Sequence, residues 1–74
     1  MDHKFYQFHY AVTKDFEVEN IGILTYYSMK AATKDDLITY TREYLKDPNA
    51  NIVISHITKL RKPEYEKLTG KKVM

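Results

Sequence analysis

Apolar and polar residues alternate with a period of two through residues 4–18. Tyr6, Phe8, Tyr10, Val12, Phe16 and Val18 hold even positions; Gln7, His9, Thr13, Glu17 and Glu19 hold odd ones. Successive side chains of a strand point to opposite faces, so this alternation predicts a half-buried strand or two strand segments. After Asn20 the phase inverts, and Ile21, Ile23, Tyr27, Met29 and Ala31 become the apolar series. A hairpin turn within Glu19–Gly22 accounts for the inversion. A two-residue Glu19-Asn20 turn sets Val18 opposite Ile21, Phe16 opposite Ile23 and Val12 opposite Tyr27, so both series share one face. Asn20 and Gly22 tolerate the positive φ that such a turn needs. A turn at Lys14-Asp15 is the rival, and it puts Phe16 and Val18 on the other face.

The period then changes. Thr33 reads as a helix N-cap, and Asp35 and Asp36 fall in the first turn, where the helix dipole favours negative charge. Thr33 and Asp36 form a weakened capping box, aspartate being shorter than the usual glutamate. Leu37, Ile38, Thr41, Tyr44 and Leu45 follow at helical spacing with Tyr40 on the flank. Asp47-Pro48 ends the helix, because a residue before proline is disfavoured in the α region. The β-branched run Ile52–Ile57 predicts a third strand whose register is open, since both its faces are partly apolar. Pro63, the glutamates behind it and Gly70 outline a short helix over Pro63–Thr69, with Tyr65 and Leu68 as its buried residues.

Strand, strand, helix, strand and short helix make a two-layer α+β domain, ββαβ(α). It has a mainly antiparallel three-stranded sheet, one main helix on one face and a short C-terminal helix. The third strand is expected antiparallel to an outer strand, with a right-handed parallel crossover beside the first strand as the rival. Residues 1–70 form the single domain, and residues 71–74 are expected to fray.

Composition narrows the chemistry. The chain has 74 residues and no cysteine, which excludes disulfides, thiolate metal sites and cysteine nucleophiles. Its small size leaves no room for a second domain or a large enclosed active site. No apolar run is long enough to span a membrane, and the N-terminus lacks a signal-peptide layout, so a cytoplasmic protein is expected. The net charge of +2 is uneven: residues 1–58 carry −2 and residues 59–74 carry +4.

Ser28 and Ser55 are the only serines, and Ser55 and His56 are strand neighbours pointing to opposite faces, unfit as a nucleophile–base pair. Two glycines far apart make no phosphate loop. The expectation is a non-enzymatic protein with no cofactor and no small-molecule substrate. No metal site is expected either. His3 and His9 share a strand face but lie roughly 20 Å apart at about 3.3 Å per residue. His9 and His56 can meet across the sheet, yet nothing in the sequence fixes that geometry.

The strand-to-helix junction Met29-Lys30-Ala31-Ala32-Thr33-Lys34-Asp35-Asp36-Leu37, with Tyr44-Leu45-Lys46, resembles that of many small α+β proteins. Together with Glu64-Tyr65-Glu66-Lys67-Leu68-Thr69-Gly70 it is similar to small uncharacterised proteins of Gram-positive bacteria and their phages. The resemblance covers about half the chain, contains no catalytic motif, and implies a phage or prophage origin without an activity.

Two functional expectations follow. The first is a protein-interaction or regulatory module. Opposite the main helix lies a second apolar series, from which Phe5, His9, Leu24 and Tyr26 are the expected contact residues on the outer sheet face. The terminal helix covers part of that face, and an unknown protein or a second copy, as a homodimer, covers the rest. The alternative is nucleic-acid binding. Seven tyrosines supply stacking surfaces, and Lys59, Arg61, Lys62, Lys71 and Lys72 supply phosphate contacts.

Overall fold

A computed structural model describes residues 3–70. Two long strands, β1 (Lys4–Lys14) and β2 (Glu17–Ser28), precede helix α1 (Lys34–Leu45); strand β3 (Asn51–Leu60) and helix α2 (Lys62–Thr69) follow. The sheet has the order β2-β1-β3, with both pairings antiparallel. β1 is therefore central, and β2 and β3 run parallel on its two sides, joined through α1. This is the expected α+β arrangement, in ββαβ(α) order. The expected fraying of residues 71–74 lies outside the described residues.

The first hairpin does not turn where the parity of the sequence places it. Lys14 pairs with Glu17, and the two residues between them, Asp15 and Phe16, have φ of 52° and 64°. Positive φ at both central positions is the geometry of a type I′ hairpin turn, whose twist matches that of the strands it joins. The turn thus lies one residue beyond the rival Lys14-Asp15 reading. Phe16, expected on the apolar face, sits at its tip at 107% exposure.

A β-bulge then sets the faces. Lys14↔Glu17 and Thr13↔Val18 are in simple hairpin register, but Val12 pairs with Asn20, so Glu19 is an extra residue in β2. A one-residue shift moves every following side chain to the opposite face. Beyond the bulge Phe8 pairs with Leu24, Tyr6 with Tyr26 and Tyr10 with Gly22, while His9 pairs with Ile23 and Ala11 with Ile21. Leu24 and Tyr26 therefore face α1, and Ile21 and Ile23 face away. This reverses the pairing drawn from a Glu19-Asn20 turn. Gly22 is not a turn residue. It lies in mid-strand, where a Cβ would fall 2.5 Å from the ring of Tyr10. Glycine lets that ring lie across the β2 backbone.

The inner face carries the core. Phe8, Tyr10, Leu24, Ile52 and Ile54 pack with Leu37 of α1 and Ala50; Val12, Tyr26, Ile38, Tyr40 and Leu45 close the edges. Thr41 is fully buried, and its hydroxyl donates to the Leu37 carbonyl at 2.7 Å, so no polar atom is stranded. Tyr44, expected on the buried stripe, is exposed.

The α1 cap forms as the sequence implies. Asp36 N–H donates to Thr33 Oγ1 at 3.2 Å, and Thr33 N–H donates to Asp36 Oδ2 at 2.8 Å, so aspartate does close the box. The Asp36 carboxyl is held below the usual range, first by the Thr33 backbone N–H and then by the Thr33 hydroxyl. Lys46 ends the helix in the left-handed region, where its N–H and that of Asp47 satisfy the Arg42 carbonyl. Arg42 Nε donates to the Ala50 carbonyl at 2.9 Å, tying α1 to the start of β3. Ala32 N–H donates to the Tyr6 hydroxyl at 3.2 Å, which anchors the β2–α1 connection. α2 begins at Arg61, whose N–H donates to Glu64 Oε1 at 3.0 Å, and ends on Gly70 with φ 71°.

Candidate functional site

The two helices lie on opposite faces of the sheet, α1 over the inner one and α2 over one end of the outer one. At that end, the ring of Tyr65 of α2 packs tilted against Phe5 at 4.8 Å and meets Tyr27 edge-on at 5.6 Å; His3 lies 5.6 Å from Tyr27. Phe5 is buried as a result. Burial pushes the Tyr65 hydroxyl pKa up, with Tyr27 adding to the effect. Leu68, the other residue expected to cover this face, remains exposed.

Beyond the reach of α2 the outer face is bare. An open groove of about 680 Å³ is lined by His9, Ala11, Ile21, Ile23, Val53 and His56, with Tyr10, Gly22 and Ser55 completing it. Ile21, Ile23 and Val53 are 71%, 56% and 51% exposed. Three neighbouring aliphatic side chains in water are the kind of surface that marks an interaction site. The lining carries no ammonium, guanidinium or carboxylate group.

Of the four expected contact residues, His9 alone lies on this bare surface. Phe5 is on the outer face but under α2, and Leu24 (8% exposed) and Tyr26 lie on the inner face, as the Glu19 bulge dictates. The ring of Tyr26 packs tilted against Tyr40 of α1 at 4.9 Å. The residues that replace them, Ile21, Ile23 and Val53, belong to the inverted apolar series and to β3. Their signal was in the sequence as the phase change after Asn20, which marks a bulge rather than a turn.

A second bulge shapes the groove from the other side. Gln7 pairs with Thr58 and His9 with Ser55, so Phe8 faces two residues of β3, His56 and Ile57. His56 takes φ 52°, uncommon for a residue other than glycine. Plain alternation from Ile52 and Ile54 would turn position 56 inward. The bulge instead brings the His56 ring to 4.9 Å from that of His9. Ser55 and His56, expected on opposite faces of the strand, are brought to one side by the same bulge and the left-handed His56 backbone, with His56 Nδ1 3.2 Å from Ser55 Oγ. Among the described residues, no group of three or more His, Cys, Asp or Glu side chains converges.

The described basic candidates sit at the junction of β3 and α2. Lys59 pairs with Tyr6 on β3, Arg61 caps α2 with its Nε 3.4 Å from Glu64 Oε1, and Lys62 opens the helix. Lys71 and Lys72 lie outside the described residues. The tyrosines do not form an open platform beside them: Tyr6 and Tyr10 are buried, Tyr26 pairs with Tyr40, and Tyr27 packs with Tyr65. Among the described residues no helix is long and apolar enough to cross a membrane. No family model, curated protein or solved structure matches the chain, so the functional reading stands on this geometry.

Proposed function

We propose that the protein is a cytoplasmic, non-enzymatic interaction module that binds a protein surface through the bare part of its outer sheet face. One observation carries this reading: Ile21, Ile23 and Val53 stand exposed around a groove without ammonium, guanidinium or carboxylate groups, while α2 covers Phe5 at the other end of the face. Covering such a patch removes apolar surface from water at about 25 cal/mol per Å². The strands that carry it are rigid and need little ordering on contact.

The chain's own copy is the first partner to try. Sedimentation equilibrium over a wide concentration range is expected to show reversible self-association that Ile23→Lys abolishes without loss of fold. A chain that stays monomeric, together with steeply salt-dependent binding to single-stranded nucleic acid, would replace this reading with the nucleic-acid one.

A further inference from the structure

The bare groove also holds a pair of metal-binding side chains that the fold has put together at some cost. His56 reaches His9 through a bulge and a left-handed backbone conformation that disfavours side chains larger than glycine. Strain held at one position of a surface strand points to a role for the side chain there.

The separation suits one ion. Zinc binds imidazole nitrogen at roughly 2.0–2.1 Å, and the ring centre lies roughly 1.1 Å beyond it, so two imidazoles on a tetrahedral ion have centres about 5.2 Å apart. The His9 and His56 centres are 4.9 Å apart. Ser55 Oγ, 3.2 Å from His56 Nδ1, is placed to accept a hydrogen bond from the Nδ1–H of the tautomer whose Nε2 binds a metal.

One chain supplies two donors, and a structural zinc takes four. The pair lies among exposed aliphatic residues, and the groove lining has no charge to repel a copy of itself. A two-fold axis through the ion places the same two histidines of a second chain opposite the first pair. It completes the tetrahedron and covers the aliphatic walls of both chains. We propose that two copies of this chain join through the outer sheet face around one Zn²⁺ held by His9 and His56 of each. The proposal rests on the reading of that face as a contact surface and adds the partner and the trigger.

The test is sedimentation velocity of the full chain as Zn²⁺ is added and then removed with EDTA, with calorimetry for stoichiometry. At a chain concentration too low for metal-free self-association, the expected result is a doubling of mass that saturates at one zinc per two chains and reverses in EDTA. His9→Gln and His56→Gln each abolish it with unchanged circular dichroism, and His3→Gln leaves it intact. A mass indifferent to zinc overturns the proposal, as does zinc-dependent dimerisation that survives both substitutions. Ile23→Lys in EDTA separates the two claims. A dimer that ignores zinc and is lost in Ile23→Lys overturns the zinc site and leaves the contact face standing. Zinc taken up by His9 and His56 in a chain that stays monomeric overturns the bridge.

Discussion

The two faces of the sheet carry similar numbers of large apolar residues and meet opposite fates. On the inner face Phe8, Tyr10, Leu24, Ile52 and Ile54 are sealed under α1. On the outer face Phe5 is buried under Tyr65 of α2, while Ile21, Ile23 and Val53 remain in water. Hydrophobicity does not distinguish the two sets; register does. One extra residue in β2, Glu19, decides that Leu24 goes in and Ile23 stays out. The lesson is that a bulge can choose which of two apolar series becomes core and which becomes surface.

The sharpest way to break this comparison is to truncate the two adjacent residues. Leu24→Ala is expected to cost about 2–5 kcal/mol in denaturant unfolding, and Ile23→Ala to fall within about 0.5 kcal/mol of the parent. Equal costs, or the reverse order, would mean that β2 pairs without the bulge. Gly22→Ala comes next. Its methyl group meets the Tyr10 ring, which must move out of a packed core, so a loss of about 1–3 kcal/mol is expected in the same assay.

Thr33→Ala removes one half of the α1 capping box and is expected to cost about 1 kcal/mol in thermal unfolding. The other half responds to acid. Asp36 has a folded pKa below its ordinary value of 3.8, so its contribution is fully present above that value and lost as the pH falls through the folded one. Melting temperatures taken down through this range should fall, and Asp36→Asn should flatten the fall. Glu64, held low chiefly by the Arg61 backbone N–H, adds a second such response at α2.

The smallest expected effect is a gain. His56→Gly and Phe16→Gly each place glycine at a positive φ now held by a larger residue. Each is expected to stabilise the chain by about 0.5–1 kcal/mol, the relief of strain exceeding the extra entropy of the unfolded chain. A loss at position 56 would show that the His56 side chain contributes to the fold and not to the surface chemistry.

Much of this architecture is legible in the residues. Thr33 and Asp36 announce the start of α1, Pro63 and Gly70 bracket α2, and the alternation of Tyr6, Phe8 and Tyr10 marks a strand with one buried face. What the sequence conceals is phase. An inversion such as that after Asn20 arises from a turn or from a bulge, and the two put opposite residues outside. The turn at Asp15-Phe16 carries no glycine to signal it. The same holds at β3, where His56 breaks the alternation of Ile52 and Ile54. Local patterns report the period of a strand, whereas its register depends on pairing with residues far away in sequence. The four expected contact residues therefore scatter: His9 lies on the bare surface, Phe5 under α2, and Leu24 and Tyr26 on the inner face.

The most direct test of the account is methyl NMR of the full chain with a soluble paramagnetic agent, at low and high protein concentration and with zinc added. Ile21, Ile23 and Val53 methyl groups are expected to be strongly broadened in the dilute, metal-free chain and protected on association, while Leu24, Ile52 and Ile54 stay protected throughout. Methyl groups of Ile21, Ile23 and Val53 that remain broadened under every condition would contradict it.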